Sequence, residues 1–136
     1  MRLEITRRSD LATRALLELA NNGERMKSAA LAERLDTTPG FLSQVMTPLV
    51  NKGWVRSLPG PSGGYLLTAD PRRVSVLEII ETMEGPTESG RCVMEDRTCA
   101  GGGPCALHTP WSAARMRLLK ELARTRLSSL MPGHRP

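Results

Sequence analysis

The chain has 136 residues, 40% hydrophobic but only 3% aromatic, so a single compact core must be built mainly from Leu, Val, Ile, Met and Ala. No apolar run approaches the roughly 18 residues that span a bilayer, and the opening MRLEITRRSD lacks the apolar stretch of a secretory signal. These features exclude a membrane protein and make the cytoplasm the expected location. Three cysteines, an odd number, argue against a disulfide framework. The net charge of +5 is uneven: residues 1–74 carry eleven Lys/Arg against seven acids, 75–105 two against six, and 106–136 six against one. A basic N-terminal half favours a polyanionic partner.

In chain order, residues 6–22 predict a helix, with Leu11, Ala12, Ala15, Leu16, Leu19 and Ala20 at helical spacing and Asn22-Gly23 as its stop. Residues 28–36 predict a short second helix, capped by Ser28 and turning Leu31, Ala32 and Leu35 inward. In TTPGFLSQVMTPLVNKG, Thr38 caps a third helix, Pro39 takes its first position, and Gly53 terminates it. Phe41, Leu42, Val45, Met46, Leu49 and Val50 form its apolar stripe; Gly40, Ser43, Gln44, Thr47 and Asn51 form the opposite face. Pro48 deletes one helical hydrogen bond and is expected to bend or loosen the second half. Residues 54–57 and 64–68 are short strands around the turn LPGPSG, so helices followed by a hairpin give the order of a winged helix-turn-helix. Residues 75–84 predict a helix capped by Ser75. Residues 110–131 predict the longest helix, with Trp111, Ala114, Leu118 and Leu122 in one row and Leu119, Ala123, Leu127 and Leu130 in the next. Such a double row needs a cover, either a partner subunit or the chain's own domain.

Two groups carry chemistry. The first is the polar face of the third helix. A recognition helix in the major groove reads base edges, and Gln44 suits adenine while the Ser43 and Thr47 hydroxyls suit several bases. Thr38, Gly40 and the helix N-terminus can approach phosphate, with Arg7, Arg8, Lys52, Arg56, Arg72 and Arg73 as candidate phosphate contacts. A merely solvated face is the alternative. The second group is RCVMEDRTCAGGGPCALH, where Cys92, Cys99 and Cys105 are followed by His108. Thiolates favour zinc or iron–sulfur clusters. The long, uneven spacings lack the paired ligands of a zinc ribbon and suit a loop wrapped around something larger than one ion. A thiol redox switch and a plain glycine-rich connection are the other readings. No nucleophile–base motif, phosphate-binding glycine loop or pair of catalytic carboxylates is evident, so no enzyme is expected.

The order of these parts resembles the Rrf-two family of bacterial winged helix-turn-helix regulators, which includes the IscR-type and NsrR-type iron–sulfur regulators. MRLEITRRSDLATRALLELA, FLSQVMTPLVNKGWVRS, the wing GPSGGYLL, SVLEIIETMEGP and the three-cysteine loop before a Trp-bearing helix carry the likeness, from Met1 to about Leu130. The resemblance implies a mainly α fold with a small β-hairpin. It divides the chain into a winged helix-turn-helix at 1–84, a cluster-binding loop at 85–108, a dimerisation helix at 109–131 and a tail at 132–136. It further implies a homodimer held through Trp111, Leu118, Leu119, Leu122 and Leu127, a palindromic operator in double-stranded DNA, and Gly63 and Gly64 in a DNA-contacting wing. By the same likeness Cys92, Cys99 and Cys105 hold a 2Fe–2S or 4Fe–4S cluster. The fourth ligand is His108, as in IscR-type proteins, or Asp10 of the partner subunit, as in NsrR-type ones. The implied function is a cluster-dependent regulator, a repressor, sensing nitric oxide, redox or iron–sulfur status. The same fold with its cysteines as a zinc site or thiol switch is the alternative. Two features depart from the pattern: the first cysteine gap is six residues where some relatives have five, and Pro59 stands where relatives often carry a basic residue before the first wing glycine.

Overall fold

A computed structural model describes residues 1–87, 90–94 and 105–133. Helix α1 spans Arg7–Asn22. The Thr6 side chain accepts from the Ser9 N–H at its start, and Gly23, at φ 73°, closes it with a bond to the Leu19 carbonyl. Its buried face, Leu11, Ala12, Ala15, Leu16 and Leu19, is the floor on which the other elements pack.

Helix α2 covers Ser28–Arg34 and α3 covers Pro39–Asn51. The expected cap at Ser28 is not realised. Lys27 occupies the cap position without a side-chain bond, because Met26 is held in extended pairing with Tyr65 and the helix starts one residue early. Thr38 caps α3 through the Phe41 N–H at 3.2 Å, with Pro39 at the first position as expected. Pro48 does not end α3. The helix continues to Asn51, and Lys52 closes back on the Pro48 carbonyl at 3.0 Å. Burial of Val45, Met46 and Leu49 around the proline outweighs the single lost backbone bond.

Strands β1 (Val55–Leu58) and β2 (Gly64–Leu67) form an antiparallel hairpin in the register Val55↔Leu67 to Leu58↔Gly64, with β1 one residue later than the pattern suggested. Trp54 stays outside the strand; its carbonyl accepts from Thr68 and Ala69. A 3-10 turn, Pro71–Arg73, leads into α4, Val76–Glu84, which begins with a reciprocal capping box between Ser75 and Glu78.

Helix α5 runs only from His108 to Arg124, not to residue 131. Thr125 is extended, and a second 3-10 turn, Leu127–Leu130, folds back onto the domain. The reason is a local ladder: Val76 N–H donates to the Thr125 carbonyl and Leu127 N–H to the Val74 carbonyl, around the bridge Ser75↔Arg126. Leu127 is consequently 0% exposed in the chain's own core, which removes it from the expected dimer interface. Leu127→Ala is expected to cost about 2–5 kcal/mol in urea denaturation, whereas Leu130→Ala, at a 42% exposed position, is expected to cost less than about 0.5 kcal/mol.

Candidate nucleic-acid interface and cysteine segment

The α3 stripe divides as its spacing demands. Leu42, Val45, Met46 and Leu49 are buried, while Gly40, Ser43, Gln44, Thr47 and Asn51 are exposed on one face. The Thr47 hydroxyl donates to the Ser43 carbonyl at 2.9 Å. While that bond is made, Thr47 keeps its lone pairs and its methyl group for a base edge, to accept a hydrogen bond or meet a thymine methyl. A cleft of about 160 Å³ lined by Ser43, Thr47, Val50, Asn51, Ser57 and Tyr65 joins this face to the hairpin. Ser57 and Tyr65 were not singled out from the sequence. The strand register pairs them directly, which a one-residue shift in β1 obscured.

The cations differ in how far they are committed. The Arg7 guanidinium lies over the Phe41 ring at 5.2 Å from its centroid, and the Lys52 ammonium over Trp54 at 5.7 Å, so two aromatic side chains steer them beside α3. Arg8, Arg56 and Arg73 are exposed. Arg72 is engaged: its guanidinium donates to both Asp70 carboxylate oxygens, at 3.2 and 3.0 Å. Those bonds and the Arg72 backbone N–H hold the Asp70 carboxyl below its ordinary range. The wing glycines serve the fold. A Cβ on Gly63 would lie 2.0 Å from the Leu58 carbonyl oxygen, so the turn admits no side chain at that position. Gly64, at φ 133°, admits the Met26 carbonyl at a distance that no side chain would allow.

Of the cysteines, Cys92 and Cys105 are half-buried and Cys99 lies outside the described residues. His108 opens α5, and its backbone N–H donates to the Cys105 carbonyl at 3.1 Å. Gly90, Arg91, Val93, Cys105, His108 and Trp111 border one cleft of about 60 Å³, so the two ends of the segment meet at the first turn of α5. Among the described residues no three His, Cys, Asp or Glu side chains form a metal-holding group. Asp10 is half-buried on α1 and paired with Arg14 at 3.2 Å. Next to it, the Ser9 hydroxyl and the Thr6 backbone N–H both donate to one Glu84 carboxylate oxygen, tying the start of α1 to the last residue of α4.

Residues 5–133 match the Rrf2 family, described as an iron-dependent transcriptional regulator. The chain belongs to the Rrf2 family. It is 30% identical over 131 residues to a protein of Neisseria meningitidis serogroup A that bears a helix-turn-helix regulator's name, covering 95% of this chain and 88% of the relative. It is equally 30% identical to IscR of Escherichia coli, covering 95% and 80%. Its fold superposes on CymR, the global cysteine regulator of B. subtilis, with a TM-score of 0.75 and 27% identity over 95% of this chain and 96% of that one. The chain is therefore a DNA-binding transcriptional regulator with a winged helix, and not an enzyme.

On this Rrf2 chain, α5 has no buried residue although its sequence is amphipathic. Leu118 is 47% exposed, and Trp111, Leu119 and Leu122 are only partly covered. Met1, Leu3 and Ile5 stand exposed beside them, and a groove of about 540 Å³ lies between this N-terminal strand of chain, Ile80 and the α5 leucines. No helix is long and apolar enough to cross a membrane among the described residues. At the start of α3, Thr38→Ala removes the cap and is expected to lower stability by about 1 kcal/mol in thermal or urea unfolding, with Thr38→Ser restoring most of it.

Proposed function

We propose that this cytoplasmic Rrf2 protein is an iron–sulfur-dependent repressor, a homodimer on a palindromic operator, whose DNA affinity follows nitric oxide, redox or iron–sulfur status. The carrying observation is the convergence of Cys105, His108 and the residues flanking Cys92 on one cleft at the start of α5. The donor set fits the group: soft thiolates with a carboxylate or an imidazole as the fourth ligand suit iron–sulfur chemistry. Cys92, Cys99 and Cys105 would hold the cluster, with His108 or the partner's Asp10 completing it. When bound, such a cluster supplies a redox-sensitive cross-link that is lost on oxidation or on reaction with nitric oxide.

The protein's own residues do the rest. Glu84 holds the first turn of α1 while its neighbour Gly85 begins the cysteine segment, so the segment's conformation bears on Arg7, Arg8 and Asp10. The exposed α5 row and the N-terminal apolar residues support a dimer contact. Two recognition helices then read half-sites about one helical turn apart, ~34–36 Å, and a small change in their separation weakens both contacts together. On α3, Ser43, Gln44 and Thr47 face the bases, and Thr38, Gly40, Lys52, Arg7 and Arg8 face phosphate.

Anaerobic purification is expected to yield a coloured protein containing iron and sulfide, with a Mössbauer spectrum altered by either Asp10→Ala or His108→Ala. A colourless, iron-free protein would remove the cluster from this reading, and two spectra identical to wild type would remove both fourth-ligand assignments. Leu118→Asp buries a charge in the proposed dimer contact and is expected to convert the dimer to monomer in analytical ultracentrifugation; a dimer that persists would place the contact elsewhere.

A further inference from the structure

The wing is wider than its two named strands. Met26 N–H donates to the Tyr65 carbonyl at 2.9 Å and Tyr65 N–H returns a bond to Met26 at 2.8 Å. Because β1 already occupies one edge of β2, this exchange places the segment around Met26 on the other edge as a third strand. Directly opposed residues of an antiparallel ladder share a face, and successive residues alternate. Met26, Tyr65 and Ser57 therefore share one face, on which Met26 is 6% exposed, Tyr65 is half-buried, and the exposed Ser57 lines the cleft against α3 together with Tyr65. Arg25 and Lys27 fall on the opposite, outer face, where Arg56, opposite Leu66, also lies.

All three cations are exposed. Among the described residues none of them is in an ion pair, whereas Arg14, Arg34, Arg72, Arg117 and Arg124 each have a carboxylate partner. Glu24, the nearest acid in sequence, sits in the bend before the segment. The wing turn itself, residues 59–63 (PGPSG), carries no charge. Lys27 borders the same cleft as Ser57, Gly60, Pro61, Gly63 and Tyr65, so this residue lies beside that turn at the edge of the sheet. A winged helix with an uncharged tip still needs cations to hold its hairpin against the duplex, since phosphate contacts fix register and orientation while base contacts specify.

We infer that Arg25, Lys27 and Arg56 form a phosphate-binding face on the outside of the wing, with Lys27 nearest the tip. This rests on the DNA-binding reading and adds Arg25 and Lys27 to the interface. The face is blind to sequence: it contributes affinity through counterion release and leaves discrimination to α3. The occupant is the sugar–phosphate backbone beside the groove that the wing approaches.

The test is fluorescence anisotropy with the full-length, anaerobically purified protein and a labelled 30-base-pair mixed-sequence duplex, titrated from 50 to 200 mM KCl. For the double variant Arg25→Gln/Lys27→Gln, two lost contacts are expected to lower the slope of log affinity against log salt by about 1.8, so that wild type's advantage shrinks about twelvefold across that range. The charge-preserving pair Arg25→Lys/Lys27→Arg is expected to keep the wild-type slope. An unchanged slope in the Gln variant while wild type binds would overturn the inference and leave the DNA-binding reading intact. Equal loss in both pairs would assign the residues to packing and also overturn it. A wild-type protein that binds no duplex would instead overturn the DNA-binding reading on which it rests.

Discussion

Burial of one face of α1 is the constraint on which the rest of the molecule depends. Leu11, Ala12, Ala15, Leu16 and Leu19 are each at most 2% exposed, and α3, α4, β2 and the second 3-10 turn all pack onto this helix. The two alanines have no side chain to hold neighbours off, so the backbones of adjacent helices come close and the leucines on either side interdigitate. A fully buried leucine contributes about 1.5–3 kcal/mol, which a chain with one Phe, one Tyr and two Trp must collect from many small contacts. The polar face of α3 is exposed because its opposite face is consumed by this floor. Presentation of Ser43, Gln44 and Thr47 is thus a consequence of packing, not of any local preference of those residues.

The C-terminal return has a similar effect on α5. The ladder between Val74–Val76 and Thr125–Leu127 anchors the end of that helix to the segment leading into α4, and Leu127 plugs the core. The beginning of α5, at His108, adjoins the cysteine segment. Between these two points the helix touches α4 but buries none of its own residues completely. An amphipathic helix attached at both ends and uncovered along its apolar row is the arrangement that a second subunit can complete.

Much of this was legible in the sequence where the signal was local. Thr38-Pro39 and Ser75 announce helix starts through the hydrogen bonds their own side chains make, and the α3 stripe follows from periodicity, whereas Thr6, which continues the helical pattern, caps α1 from outside it. The misreadings share a cause: each was decided by a residue far away in the chain. Ser28 has cap chemistry, but pairing of Met26 with Tyr65 fixed the preceding backbone first. Leu127 continues the helical spacing of α5 perfectly well, yet the Val74 carbonyl draws its N–H out of the helix. The cation face of the wing was hidden for the same reason, since Arg25 and Lys27 join Arg56 only through a non-local bridge. In the cysteine segment, spacing identified the donors, and folding adds that Cys105 and His108 share a cleft with the chain around Cys92.

Glu84 connects these layers. Its carboxylate accepts the Thr6 N–H and the Ser9 hydroxyl at the positive end of α1, where a negative charge is favoured by the helix dipole. Ser9 is completely buried, so its hydroxyl has no water to turn to if Glu84 moves away; a hydrogen bond to a charged group of this kind is worth about 1.5–3 kcal/mol. Gly85 follows at once with φ 86°, a conformation that lets the chain leave α4 sharply into the cysteine segment. A displacement that moves Glu84 acts on these bonds in one of two ways. It carries Thr6 and Ser9 with it, and with them the turn bearing Arg7 and Asp10, or it breaks both bonds and leaves the buried Ser9 hydroxyl with the Thr6 hydroxyl in place of a charged acceptor. The second is costly enough that the first is the softer path. The junction of α4 and α1 thus couples the start of the cysteine segment to the turn bearing Arg7 and Asp10.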